Sequence, residues 1–489
     1  MPTPHPYESG DTPAIVRDSP RRAGPGEPYH RAPTPGPSST ADAALYHARQ
    51  VIALLFGPPS VRRFDVRYWD GMVERASTAD TPYLLAVNDA GALRRMLLPP
   101  SELAIVETFL AGGIDVEGDL EAAVTLGDAI AVRVRSPRTL ARLARHLLAL
   151  PSSAAVRRVR AARAERVVAP VGRQHEPARD RAAVRYHYDV GNDFYALWLD
   201  RRMVYSCAYF PTPTTSLDEA QLAKLDLVCR KLRLRPGERF LDVGCGWGAL
   251  VLHAAQRYGV TALGITLSEA QAALARERIA AAGLADRCRV EIRDYRDLPA
   301  GVAFDKIASV GMVEHVGVDH LPTYFGALYR ALAPGGLLLN HGIVSVAAAR
   351  PRCWRARVEA RLWRRDAFID QYVFPDGRLG PLHAVIAAAE GAGFETRDAE
   401  SLREHYVMTL RAWVSRLARQ RERAVALADA RTYRTWRLYM AGSAHGFASG
   451  RLNVVQTLLA KPDAAGRAGL PLTRRDLLGE GHGQAARDE

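Results

Sequence analysis

Lysine is nearly missing from this chain. Of 66 basic residues among 489, only Lys224, Lys231, Lys306 and Lys461 are lysines, so arginine carries almost all the positive charge. Cysteine is also scarce. Cys207, Cys229, Cys245, Cys288 and Cys353 form no CxxC pair and no zinc-ligand spacing, which argues against a structural zinc site or a disulfide framework. An odd, scattered set suits a reducing cytosol with free thiols, and no metal is expected. Long apolar runs are lacking as well. The stretch 331–349 is uncharged but contains Pro334, Gly335, Gly336, Asn340, His341 and Gly342, so it reads as turn, strand and loop and not as a membrane-crossing helix. Residues 1–40 hold ten prolines and no apolar stretch of signal-peptide length. They predict a disordered tail and no secretory leader.

What is present is ample core material. The chain is 48% hydrophobic and 24% charged, and its length suits about three average domains. The net charge of +13 admits nucleic acid, an anionic membrane or an acidic substrate, and its placement discriminates among them. Residues 102–128 hold seven acidic residues and no basic one, whereas 131–170 hold ten arginines against Glu165 alone. Within the basic stretch, Leu140, Leu143, Leu147 and Leu148 follow i, i+3, i+7, i+8 spacing with Arg138, Arg142 and Arg145 between them. That pattern predicts an amphipathic helix with an arginine face, ending near Pro151. It reads either as a solvated face beside a linker or as an adhesive face for anionic lipid. Interleaved aromatics and reader motifs are absent, so nucleic acid is not an expected partner.

Five segments follow along the chain: the Pro-rich tail 1–40, a small domain 41–150 opening on ALYHARQVIALLF, a basic linker 151–181, a large domain 182–462, and a polar tail 463–489. In the large domain, short β-rich runs (RFLDVG, TALGIT, CRVEIR, DKIASV, LLLNHGI) alternate with helical segments such as EAQAALARERIAAAG. The alternation predicts an α/β fold with a doubly wound, mostly parallel sheet.

The strongest local signal is Leu241-Asp242-Val243-Gly244-Cys245-Gly246-Trp247-Gly248, a strand running into a glycine-rich turn and then a helix. Glycines there let the backbone turn sharply and approach a ligand closely. The GxGxG spacing differs from the dinucleotide GxGxxG, and Asp242 before it fits S-adenosylmethionine (SAM). A structural turn and a dinucleotide loop remain as alternatives. The next strand ends in Thr266, Leu267 and Ser268, with Gln271 beyond. These offer hydroxyls and an amide where many ribose-binding folds place an acid.

The motifs YHYDVGNDFY (186–195), YSCAYF (205–210), GITLSEAQ (264–271), SVGMVEHVG (309–317), LLNHGI (338–343), FPDGRL (374–379) and HYVMTLRAW (405–413) together resemble the cyclopropane-fatty-acyl-phospholipid synthases and mycolic acid cyclopropane synthases. GIDVEGDLEAA (113–123) is similar to the amino-terminal domain of the bacterial phospholipid enzymes. The resemblance implies a class I SAM-methyltransferase-like Rossmann fold with a small α+β N-terminal domain. It implies methylene transfer from SAM to a cis double bond of an unsaturated phospholipid acyl chain, with bound bicarbonate as base. By the same resemblance the ion's ligands fall on Glu314, His341 and Tyr406, with backbone groups of Cys207 and Ile343. The SAM contacts fall on Tyr205, Ser206, Asp242, Gly244, Gly246, Thr266, Leu267, Ser268 and Gln271, with Asp294 and Tyr295 near the adenine. The implied setting is cytoplasmic, at the inner face of an anionic membrane, and a homodimer is one assembly the chain admits.

Singly, each residue has a plainer reading. Glu314 suits a helix N-terminus, His341 a hydrogen-bonded core, Tyr406 a buried phenol and Cys207 a small apolar filler. Two other functions stay open: a SAM-dependent methyltransferase that leaves methyl- or methylene-branched acyl chains, and a non-catalytic lipid-binding protein on the same fold. The chain departs from the family pattern at Val313, where phenylalanine is usual, and at Asn340 and Gly342 around the histidine. These changes bear on pocket shape and acceptor choice.

Overall fold

The computed structural model describes residues 40–78, 80–127, 130, 136–152, 176–188, 190–298, 303–346, 367–374 and 377–476. The sequence reading of the tail 1–40 and of most of the linker 151–181 lies outside these residues except at their edges, as does Cys353. The chain divides into two units, Met1–Ala43 and Ala44–Glu489. Of the first, only the opening turn of a helix is described, and the second carries both sheets.

Helix α1 (Thr40–Phe56) buries Ala48, Val51, Ile52 and Leu55. A four-stranded sheet follows, in the order β2-β1-β3-β4, from β1 (Asp65–Arg67), β2 (Val73–Glu74), β3 (Tyr83–Val87) and β4 (Ile114–Gly118). Asp119 then caps α2 (Leu120–Val124) by accepting the Ala122 N–H at 3.0 Å. The acidic run has partners from distant chain: Arg411 bonds both oxygens of Glu121 at 2.7 and 2.8 Å, and Arg434 reaches Asp115 at 3.1 Å. Two members of the acidic run thus tie β4 and α2 to the later helices, while Glu117 pairs with Arg67 of β1.

The arginine-faced helix is α3 (Pro137–Ala149), opened by Ser136, whose hydroxyl accepts the Thr139 N–H, and by Pro137 in its first turn. Its apolar stripe is split. Leu143 and Leu147 are buried, but Leu140 and Leu148 stay 41% and 59% exposed, and Arg138, Arg142 and Arg145 are exposed with them.

The large sheet runs β10-β11-β9-β8-β5-β6-β7. Its parallel strands are β5 (Arg239–Val243), β6 (Thr261–Thr266), β7 (Cys288–Ile292), β8 (Phe304–Val310) and β9 (Leu332–Ser345), as the sequence predicts. Two further strands extend it: β10 (Glu395–Ser401), and β11 (Leu452–Ala460), which lies antiparallel to both β9 and β10. Helices α4 (Pro177–Tyr188), α5 (Leu217–Leu232), α6 (Ala249–Tyr258), α7 (Glu269–Ala281), α8 (Val313–Val316), α9 (Arg403–Arg419) and α10 (Ala430–Ala448) supply the rest of the site. A reciprocal Ser216–Glu219 capping box fixes the start of α5. One apolar cluster joins α1 and the small sheet to Trp198, Trp413 and Trp436. After Pro462 the described chain stays tethered, with Arg474 on Asp398 at 2.7 Å and Arg233 on Asp476 at 2.7 Å. Among the described residues no helix is long and apolar enough to cross a membrane.

Candidate active site

The carboxyl ends of β5, β6 and β8 open onto one pocket, where ligands bind in sheets of this kind. Gly244 and Gly246 line it with φ of +79° and +54°, a backbone that side chains rarely adopt. The loop is seated on β6: a Cβ at Gly264 would meet Cys245 Sγ at 2.7 Å. Its far side is pinned by Asn192, which accepts the Trp247 ring N–H at 2.8 Å and donates to the Ala270 carbonyl at 3.3 Å. Tyr205, Ser206, Asp242, Thr266, Leu267, Gln271, Asp294 and Tyr295 also line the pocket. Ser268 does not. It caps α7, its hydroxyl accepting the Gln271 N–H at 3.3 Å, while Thr266 donates to Gln271 Oε1 at 3.0 Å. Asp294 is braced by Arg296, which also holds Asp180 at 2.9 Å.

Lys224 was not anticipated. It is 2% exposed, lines the pocket and donates to Ser206 Oγ at 2.9 Å. Burial lowers its pKa to about 8. Burial raises Asp242 to about 7, and the ammonium of Lys224 opposes that rise. The pocket therefore presents a buried cation, a buried acid and glycine amides at one end, suited to the zwitterionic amino-acid end of a ligand. Tyr188, Tyr205 and Trp247 add aromatic surface, which attracts a cation such as a sulfonium.

Of the five residues that the resemblance gives to an ion, Glu314, Ile343, Tyr406 and Cys207 are linked to one another, and His341 stands on the same strand two residues before Ile343. Val310, the last residue of β8, pairs with His341, so β9 runs on past the end of its neighbour. Glu314 takes over there, Oε1 accepting the Ile343 N–H at 2.7 Å. Ile343 lies opposite Val454, whose carbonyl accepts the Leu402 N–H at 2.8 Å. Leu402 precedes α9, which carries Tyr406, and its carbonyl faces Cys207 Sγ at 3.7 Å. The loop around Cys207 is stitched to the same helix by Ala208 N–H to Thr409 (3.0 Å) and Phe210 N–H to His405 (3.0 Å). Glu314 Oε2 and His341 Nε2 are buried with no hydrogen-bond partner among the described residues. Burial raises Glu314 to about 7, against the pull of the Ile343 N–H, and holds His341 well below its ordinary value. Burial also pushes the Tyr406 phenol well up, with Tyr439, Cys207 and Glu314 nearby.

The mycolic acid cyclopropane synthetase family model matches residues 175–457. A "Probable fatty acid methyltransferase" of Pseudomonas putida is 39% identical over 86% of this chain and 98% of its own length. The chain belongs to the mycolic acid cyclopropane synthetase family. Cyclopropane mycolic acid synthase 2 of Mycobacterium leprae is 36% identical over 57% of this chain and 93% of its own. The solved structure of mycolic acid cyclopropane synthase CmaA1 complexed with SAH and CTAB aligns with a TM-score of 0.53 and 34% identity, over 57% of this chain and 97% of the other. The protein is thus a SAM-dependent methyltransferase of the cyclopropane synthase family, acting on lipid acyl chains. The glycine cradle with Asp242 and Lys224 at its base fits that cofactor.

Proposed function

We propose that this protein transfers a methylene group from SAM to a cis double bond of an unsaturated phospholipid acyl chain, closing a cyclopropane ring, with bicarbonate held beside the pocket. The observation that carries this reading is the pair of partnerless buried atoms, Glu314 Oε2 and His341 Nε2. A buried polar atom without a partner costs roughly 1–3 kcal/mol, so the pair favours a small ion that both donates and accepts. When bound, bicarbonate supplies a base for the proton lost on ring closure. SAM supplies an electrophilic methyl. The chain's own part is to orient and to exclude water. Asp242, Lys224 and Ser206 grip the amino-acid end, and Met203, Met312 and Val316 keep the pocket wall apolar. Tyr406 and the Cys207 loop close the ion site.

A second reading, a methyl- or methylene-branched product, draws support from the fatty acid methyltransferase name of the Pseudomonas putida relative. Incubation with labelled SAM and vesicles of unsaturated phospholipid tests both. Acyl chains heavier by one methylene that resist mild hydrogenation of alkenes support the ring. Chains lacking any added carbon overturn both readings.

The surface partner is an anionic bilayer. On α3 the exposed Arg138, Arg142 and Arg145 lie with the exposed Leu140 and Leu148. Cations for headgroups beside apolar groups for the acyl boundary make an interfacial helix face.

A further inference from the structure

His341 reaches the site through hydrogen bonds that leave its proton little choice. Across β9 and β11 it lies opposite Gln456, and Gln456 Nε2 is 3.1 Å from His341 Nδ1. Behind Gln456, Lys231 Nζ meets Oε1 at 2.7 Å and also pairs with Glu400. Gln456 is 1% exposed, His341 1% and Lys231 3%, so water does not scramble these roles. An ammonium only donates, so the amide must turn its oxygen to Lys231 and its NH2 to His341. An NH2 only donates, so Nδ1 must accept. The proton of the neutral ring is then on Nε2, the atom with no partner.

We infer that Gln456, locked by Lys231, is a positioning residue that holds His341 as the neutral Nε2–H tautomer and presents it to the site as a fixed hydrogen-bond donor. The group it faces is therefore an acceptor, such as the oxygen of a small oxyanion. Its catalytic consequence rests on the proposed ion site, but the tautomer is readable without turnover. Burial, with smaller contributions from Lys224 and Lys231, keeps the ring unprotonated, so the hydrogen bonds through Gln456 choose between its two neutral tautomers.

The test uses the full chain labelled with 15N-histidine, with His341→Asn to assign its signals. Long-range proton–nitrogen correlations are expected to show Nε2 protonated and Nδ1 bare in the unaltered protein. Gln456→Glu, whose carboxylate only accepts, should move the proton to Nδ1. It should also lower turnover roughly ten- to a hundredfold, while SAH affinity stays nearly unchanged. Lys231→Met, which frees the Gln456 amide to flip, should give a mixture of tautomers and an intermediate loss. An Nδ1-protonated ring in the unaltered protein, or an unchanged tautomer in both variants, overturns the inference. A tautomer that moves with no loss of turnover overturns the catalytic consequence and the ion site together.

Discussion

Val313 occupies the space that a side chain at position 342 would need: a Cβ added to Gly342 falls 2.2 Å from Val313 Cγ1. Two of the three positions read in the sequence as departures from the family pattern, Val313 and Gly342, are therefore one structural unit. Gly342 does not need its glycine for backbone reasons, since it sits in the extended β9 strand. It needs it because the β-branched Val313, 5% exposed at the start of α8, has a methyl there and a stiff side chain. Gly342→Ala alone should cost about 1–3 kcal/mol by overpacking. Combined with Val313→Ala, it should cost less than the sum of the single changes by at least about 1 kcal/mol. Denaturant unfolding of the four proteins measures this, and strict additivity would show that the two residues do not share the space.

Much of the frame is legible in the sequence because its signals are local. β5 to β9 announce themselves by short β-branched and leucine runs broken by glycine, and the Gly244–Gly248 turn by its spacing. β10 and β11 were not read. ETRDAES offers no apolar face, and the LNVVQTLLA strand follows a long helical stretch that gives no hint of an antiparallel return. Gln456 is hidden in the sequence together with its strand. Lys224 and Lys231 carry a signal in the sequence. In a chain that uses arginine for its positive charge, two of four lysines stand seven residues apart on one helix, and both are buried. The other two also have fixed partners: Lys461 donates to the Tyr329 and Leu332 carbonyls at 2.8 and 2.7 Å, and Lys306 lies 3.8 Å from Glu238.

Glu314→Gln should reduce turnover by about two orders of magnitude while leaving SAH affinity nearly intact, because the carboxyl does not line the cofactor pocket and, on the proposed reading, holds the ion. It should also change the pH dependence of stability. With its pKa raised to about 7, the folded carboxyl keeps a proton that the unfolded chain releases. Stability from this group is thus present at acid pH and falls as pH rises through about 7, by roughly 3 kcal/mol at most. The difference in unfolding free energy between the two proteins from pH 5 to 8 isolates it from Asp242. Equal losses in turnover and SAH affinity would contradict the assignment.

Lys224→Met should weaken SAH binding about ten- to a hundredfold, the cost of losing a buried charged hydrogen bond. It leaves Asp242 without the cation that opposes its protonation, so the Asp242 pKa should rise above about 7. Affinity should then recover in part as pH is raised and Asp242 ionises. Calorimetric titration with SAH at a series of pH values reads both effects. Unchanged affinity at every pH would place the lysine outside the cofactor's reach.

The arginine face of α3 yields the sharpest test of where the enzyme meets its substrate. Arg142→Ala with Arg145→Ala should weaken binding to vesicles rich in anionic lipid by about 2 kcal/mol, since each basic residue near such a surface contributes about 1 kcal/mol. High salt should weaken the unaltered protein in the same direction, because the Debye length shrinks from about 10 Å at 0.1 M to about 3 Å at 1 M. Leu148→Ser should lower binding to anionic vesicles by a salt-independent amount, since its exposed side chain (59%) acts by apolar insertion. Neutral vesicles should bind weakly with or without the arginines. Vesicle sedimentation across lipid composition and salt separates the charge and insertion components. Binding indifferent to both arginine changes and salt would make α3 a solvated face and move the docking surface elsewhere.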